Sequence, residues 1–461
     1  MLYRKKFIFI LPLIVSLLLI GCHKNIPSEI DLTRIDLSKN DRILILAPHP
    51  GDEILGCAGV IQKAVKMNIP VKIVFLTYGD NNEWSFLIYR KRPVITSRAI
   101  RKMGQVRRED AINACSKLGI SKDALIFLGY PDFRTLHIWI SGWGPLAPIR
   151  GMLSRAVKVP YDSAYRYGAE YKGGEILSDL TDIFSDFKPT KIFVSHPSDQ
   201  NPDHQALYLF TKVALMELDS EISPVVYAYL VHYPNFPKPR NLFKHYPLSP
   251  PDELSRMIKW EMIPLDENEI EKKEIALKEH RSQYVSNRRF LVSFIRTNEL
   301  FGDLPPIVIS NNGKLSHEEI PASPVSVSEQ LTDLEKSSFL SIEKRWIELQ
   351  DDELIISIET SHLFTQNSKI SFYFFGYRKD RSFADMPKIH IALQSGRYYV
   401  YDKTKLLPAD SIRTERSMKS ITVVLNMSLL DKPDVIFTNV RTYTEDVPLE
   451  SASWRIIEIA K

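Results

Sequence analysis

A chain of 461 residues with a formal charge of +4 is long enough for two or three domains. So small a charge, with no clustered basic face, gives no footing for a nucleic-acid partner, and none is expected. Hydrophobic residues at 44% and charged residues at 25% are those of an ordinary globular protein rather than a disordered chain.

The first element is not part of the fold. MLYRKKFIFILPLIVSLLLIGC opens with Arg4, Lys5 and Lys6, continues as an apolar run from Phe7 to Ile20, and ends in Gly21-Cys22. The pattern predicts a secretory signal over residues 1–22. The run is shorter than the ~20 residues of a membrane-spanning helix. Its end resembles the lipobox of bacterial lipoproteins, which implies lipidation of Cys22 and a mature chain anchored to a membrane through that lipid. The implied location is the cell envelope, at the periplasmic face or the outer membrane, the latter favoured by His23 at the following position. Residues 23–40 read as a tether. The remaining cysteines, Cys57 and Cys115, fall in apolar helical patterns and read as buried free thiols.

From Asp41 strands and helices alternate. ILILA (43–47) is a continuous apolar run, as expected of a strand buried on both faces. A helical period follows over 54–67, then strand VKIVFLT (71–77), helix 107–119 ending in Gly119, strand ALIFLGY (124–130), helix 173–187, strand KIFVS (191–195), a helix from Asp203 to Leu218 and strand VVYAYLV (225–231). This order predicts a mostly parallel, Rossmann-like α/β sheet with helices on both faces. A charged helical segment is expected over 265–300 and a linker over 301–330. Residues 331–461 show short strands and no long helix, which predicts a C-terminal all-β sandwich.

Two loops concentrate polar chemistry. HPGDE (49–53) follows strand 43–47, and HPSDQNPDH (196–204) follows strand 191–195. In an open parallel sheet, ligands bind beyond the carboxyl ends of strands. If the two loops converge, His49, Asp52 and a histidine of the second loop supply two imidazoles and a carboxylate, a catalytic zinc set with coordination positions left open. The structural alternative is that Asp52 and Asp203 cap the following helices, but capping requires no histidine at either place.

These segments resemble the zinc-dependent N-acetylglucosaminyl deacetylases of the PIG-L/LmbE-like family, whose motifs read His-Pro-Asp-Asp-Glu and His-Pro-Asp-His. LTYGD (76–80), VRREDAINACSKLG (106–119), FLGYPD (127–132) and HRSQY (280–284) extend the resemblance over about residues 41–300. It implies Zn2+ as cofactor, His49, Asp52 and His204 as its ligands, Arg107 and Asp132 at the substrate, and a glycan or glycoside from which an N-acetyl group is hydrolysed. Two positions depart from the family pattern. Gly51 stands where the family has its general base, and Asn201 where it has an oxyanion histidine. A relocated base is therefore expected among Asp199, Glu53 and Asp132. The other readings are a different zinc chemistry and a carbohydrate-binding lipoprotein with attenuated catalysis. In the sandwich, Phe372, Tyr373, Phe374, Phe375, Tyr398, Tyr399 and Tyr401 could stack on sugars, but packing in the core or between domains is the default for alternating aromatics in strands.

Overall fold

The continuous apolar runs form strands because both of their faces are covered. The computed structural model describes residues 32–81, 96–310, 316–320, 340–364, 368–394, 396–444, 447–451 and 453–460; the signal expected over residues 1–22 and the lipidation expected at Cys22 lie outside them. In chain order the first part comprises β1 (Thr33–Arg34), β2 (Ile43–Ala47), α1 (Asp52–Lys66), β3 (Val71–Thr77), α2 (Ser97–Lys117), β4 (Leu125–Tyr130), α3 (Thr135–Ser141), α4 (Gly173–Phe187), β5 (Lys191–Ser195), α5 (Pro202–Glu217), β6 (Val225–Tyr229), β7 (Glu261–Pro264), α6 (Glu267–Glu279), α7 (Arg281–Leu291) and β8 (Asn298–Phe301). The central sheet has the order β4-β3-β2-β5-β6, all parallel. Along β2, Ile43, Ile45 and Ala47 join a core with Ile54 of α1, Ala111 of α2 and Leu277 of α6. Leu44 and Leu46 join the opposite core with Ile176 of α4 and Leu207 of α5. Strand order reverses between β2 and β5, so the loops after these two strands meet over the crevice where such sheets bind ligands.

Several boundaries differ from the sequence reading. The helix expected at 107–119 is the second half of α2, which starts at Ser97 where Thr96 accepts a hydrogen bond from the Ala99 amide. The helix expected over 265–300 is broken at His280 (φ −72°, ψ 55°), the turn between α6 and α7, and ends before β8. The tether contains β1, which pairs in parallel with β7. The linker expected over 301–330 is structured in part. β9 (Ile307–Ser310) lies parallel to β21 (Arg455–Ala460), and β10 (Ser316–Ile320) lies antiparallel to β11 (Ile342–Gln350). β9 finds its partner only far along the chain, and β10 is a short polar strand that pairs with the next one, which local composition does not reveal.

The C-terminal part continues with β12 (Glu353–Thr360), β13 (Ser368–Tyr377), β14 (Lys388–Gln394), β15 (Arg397–Asp402), β16 (Lys405–Leu406), β17 (Ile412–Arg416), β18 (Ser420–Asn426), β19 (Val435–Thr444) and β20 (Val447–Ser451). One sheet runs β10-β11-β12-β18-β17. The other runs β16-β15-β14-β13-β19-β21-β9, with β20 beside β19. Phe372 and Phe374 point into the core between the sheets. Tyr373 and Phe375, on the other face, join Phe437, Trp454 and Trp139 of α3 in the core of the first part. Packing thus accounts for most of the aromatics singled out above; Tyr399 is the exception, 40% exposed.

Behind the site, Lys273 of α6 and Glu299 of β8 form a buried ion pair (2.7 Å). Glu299 also accepts from the amides of Gly59 and Val60 within α1, and Lys273 donates to the Leu55 carbonyl. The pair therefore locks α1, whose first turn carries Asp52. Lys273→Met leaves Glu299 charged and unpaired, and should cost about 3–5 kcal/mol in denaturant unfolding. The Lys273→Met/Glu299→Leu double variant should recover much of that loss; a double variant as unstable as the sum of the singles would rule out this coupling.

Candidate metal centre

HPGDE turns sharply because Gly51 sits at φ +118°, a conformation that suits glycine. The turn places Asp52 and Glu53 in the first turn of α1. From the second loop, α5 begins at Asn201, whose Oδ1 accepts from the Asp203 amide. The helix cap is thus Asn201, not Asp203, and Asp203 and His204 are left for other contacts.

The loops bring His49, Asp52 and His204 together, all buried, with one ligand atom from each within 4.8 Å of the others. His49 Nδ1 and His204 Nε2 each stand 3.1 Å from Asp52 Oδ2. Carboxylates face the outer nitrogens of both rings. His49 Nε2 lies 3.0 Å from Asp203 Oδ2 and 3.0 Å from Asp132 Oδ1, and His204 Nδ1 lies 3.0 Å from Asp199 Oδ2. Carboxylate–histidine pairs of this kind fix ring orientation around a metal. Neither His204 contact has hydrogen-bond geometry, so a fully buried imidazole keeps two unsatisfied nitrogens. Such an atom is costly without a partner, and a cation at Nε2 supplies one.

A second grouping, His49 with Asp132 and Asp203, also has metal-ligand spacing. Of its carboxylates, Asp203 is fully committed, whereas Asp132 Oδ1, 3.0 Å from His49 Nε2, is buried without a hydrogen-bond partner. Asp203 accepts from the Phe133 amide (2.6 Å), the Thr135 amide (3.1 Å) and the Thr135 hydroxyl (2.5 Å), and Asp132 accepts from the Asn81 amide (2.7 Å). These two acids hold the loops and the back of His49. The first set, with an unsatisfied imidazole, fits a divalent ion better.

The electrostatics agree with that fit. Burial opposes charge on His49, but Asp132, Asp203 and Asp52 override it and raise its pKa well above the usual value. Burial likewise opposes charge on His204, and Asp199 and Asp52 push it up to about 9. Burial works against the Asp52 carboxylate, yet the two imidazoles hold its pKa well below the ordinary range. Four acids surround two rings, and the positive charge they demand can come from two ring protons or from one divalent ion. Asp80, at the end of β3, is different. Burial and then the charge of Asp132 push it up to about 7, while it accepts from the Tyr161 hydroxyl.

The remaining sequence candidates fall around this centre. Asp199 lies behind His204, away from Asp52, and its oxygens take the amides of Asn201, Val231 and His232. Glu53 is fully buried, bridging the Gly51 amide and His280 Nε2 (2.8 Å). Neither has the free, inward-facing carboxylate that a relocated base requires; both brace the loops. Arg107 is buried and donates to the carbonyls of Gly79 (2.5 Å) and Pro50 (3.0 Å), clamping the ends of β3 and β2 together. Asp132 differs from Asp199 and Glu53: its Oδ2 takes the Asn81 amide, while its buried Oδ1, beside His49 Nε2, has no hydrogen-bond partner. His232 escaped the sequence reading. Its ring stands edge-on to His204 at 4.9 Å and stacks on Phe290 at 5.6 Å. Burial pushes its pKa down to about 4. The strand-end rule that flagged His49 would have found it, since it directly follows VVYAYLV.

With folded pKa values above the ~6.5 of a free imidazole, His49 and His204 contribute stability that is complete below pH ~6.5 and lost as pH rises through their folded values, about 9 for His204. Chelator-treated protein should therefore lose stability between pH 6.5 and 9 and regain it on metal addition. Adding a divalent ion at pH 7 should release about two protons per site, measured in weakly buffered titration. No proton release would mean that the rings are neutral and the charge argument fails.

Comparison with known proteins gives the same segment. A family model described as PIG-L, GlcNAc-PI de-N-acetylase, matches residues 44–215. The probable N-acetyl-alpha-D-glucosaminyl L-malate deacetylase 2 of Bacillus subtilis (strain 168) is 26% identical over 168 residues, which is 36% of this chain and 57% of that protein. The match thus spans little more than half the length of this curated relative. Among solved structures, N,N'-diacetylchitobiose deacetylase from Pyrococcus horikoshii is 19% identical, covering 57% of this chain and 82% of that one with a TM-score of 0.34. The conserved protein TT1542 from Thermus thermophilus is 17% identical, covering 55% and 84% with a TM-score of 0.32. Residues 44–215, which contain both loops of the candidate centre, are a PIG-L family domain.

Proposed function

We propose that the chain hydrolyses the N-acetyl group of an N-acetylglucosaminyl glycan or glycoside, with zinc held by His49, Asp52 and His204, at a bacterial cell envelope to which a lipid on Cys22 anchors it. The observation that carries this reading is the convergence of two imidazoles and a carboxylate inside the segment matched by a de-N-acetylase family model. The B. subtilis relative, named as a deacetylase of an N-acetylglucosaminyl compound, supports the substrate class. A zinc ion in this set supplies Lewis-acid polarisation of the amide carbonyl and a nucleophile at neutral pH.

The chain's own residues divide the remaining work. Asp199 holds the ring of His204, and Asp203 and Asp132 hold that of His49. Asn201 uses Oδ1 as a helix cap, which leaves its Nδ2 as a hydrogen-bond donor. His232, kept neutral by burial, stands beside His204 with ring centroids 4.9 Å apart. Two neutral donors can stabilise a developing oxyanion without carrying positive charge. Gly51 can move no proton, so the acid–base help normally worth about 10²–10⁴ in rate is missing, and slow turnover follows.

That same glycine favours a second reading, a glycan-binding protein with little catalysis. A Cβ built at Gly51 meets nothing within 4 Å, so a side chain there has room, at a backbone strain of order 1–3 kcal/mol. Zinc-loaded protein should release acetate slowly from N-acetylglucosaminyl oligosaccharides, and Gly51→Asp should raise the rate about 100-fold. His204→Ala should abolish both activity and zinc retention. Acetate from neither the natural chain nor Gly51→Asp, with zinc bound, would leave the binding reading in its place.

A further inference from the structure

Phe133 is strained without being buried. It is the third residue of the turn 131–134, which the Arg134 amide closes on the Pro131 carbonyl (3.1 Å), and it sits there at φ +61°. A positive φ at the third place of a turn suits glycine or asparagine and strains a bulky side chain. Packing does not offset that strain. Phe133 is 44% exposed, and among the described residues its one ring contact is with His49, at 6.3 Å between centroids and a tilt of 30°.

The turn is held firmly all the same. The Phe133 amide donates to Asp203 Oδ2 (2.6 Å). On one side Asp132 is fixed by the Asn81 amide (2.7 Å), and on the other the amide and hydroxyl of Thr135 both donate to Asp203 Oδ1. Strained residues persist where their surroundings over-determine them, and such places cluster at ligand sites, where local preference yields to function. The rim of the metal centre therefore carries a fixed, half-open aromatic ring beside a ligand of the ion.

We propose that Phe133 is the stacking platform for the sugar ring whose acetamido group is held at the metal centre. The proposal rests on the deacetylase reading for the sugar and adds how its ring is recognised. In an N-acetylglucosaminyl unit the amide nitrogen is bonded directly to the ring, so an acetamido carbonyl at the His49, Asp52 and His204 set leaves the pyranose at the rim that Phe133 borders. The C–H faces of a pyranose are apolar, and a phenyl ring can cover one of them while the hydroxyls around the edge stay in water. Phe133 offers no charge and no hydrogen bond, so it selects for a ring with such a face. An acetamide without a ring gains nothing from it.

The test uses the full zinc-loaded chain, whose slow turnover leaves the ligand intact during a calorimetric titration with N,N'-diacetylchitobiose. Acetohydroxamate, which binds zinc and has no ring, is the control. Phe133→Leu and Phe133→Ala should each weaken binding of the disaccharide about tenfold, with zinc stoichiometry and acetohydroxamate affinity unchanged. Phe133→Trp should keep the natural affinity. In acetate release, Phe133→Leu should raise KM and leave kcat alone, as when a contact made equally in ground and transition states is lost. Disaccharide affinity that survives in both the leucine and alanine variants, or acetohydroxamate affinity that falls in step with it, overturns the platform alone. A natural chain that does not bind the disaccharide refutes the sugar reading and the platform with it. Binding that depends on Phe133, without acetate release from any N-acetylglucosaminyl substrate, supports the platform and refutes the deacetylase reading alone.

Discussion

The centre depends on how Asp203 is shared. One buried carboxylate accepts from the backbone of the loop after β4, from the Thr135 hydroxyl and from the outer nitrogen of His49, while its own amide is capped by Asn201. Three pieces of chain that are distant in sequence are thereby referred to one group. Because charge-assisted hydrogen bonds are stronger than neutral ones, and the site excludes water, the arrangement is stiff. The ring of His49 can then present its other nitrogen to an ion in a fixed orientation.

Arg107 and Glu53 extend this logic outward. Arg107 donates to carbonyls at the ends of two neighbouring strands, so its charge serves the backbone of the loops. Glu53 fastens the turn at Gly51 to His280, the residue at which α6 gives way to α7. The acidic and basic residues that the motifs advertise are mostly spent on holding one another. Three atoms, on His49, Asp52 and His204, are left facing a common point.

The parallel sheet was legible because strands buried on both faces carry an unbroken apolar run, as ILILA and KIFVS do. The meeting of His49, Asp52 and His204 was legible because both loops follow neighbouring strands of a parallel sheet, whose carboxyl ends share one crevice. The duties of Asp199 and Glu53 were not, since a carboxylate near a metal motif reads the same whether it faces the ion or the back of a ligand; only ring orientation separates the two. His232 was overlooked because no acidic neighbour marks it in sequence. The extent of the sandwich was misjudged at β9, whose partner β21 lies far along the chain, and at β10, a short polar strand fixed by pairing with the next strand, β11.

Trp139 sits where the two halves of the chain meet. It is fully buried, with the rings of Trp143, Phe210, Phe375, Phe383, Phe437 and Trp454 all 5.2–5.8 Å away, and four of those six belong to the C-terminal half. Close by, Ser453 donates to Ser198 in the loop that leads to His204. A seam of this kind makes the two halves poor candidates for shuffling. A fragment cut before the sandwich would bare a broad greasy face and leave the loop that carries His204 without its outer wall, so neither half can be altered along this seam without matching changes in the other.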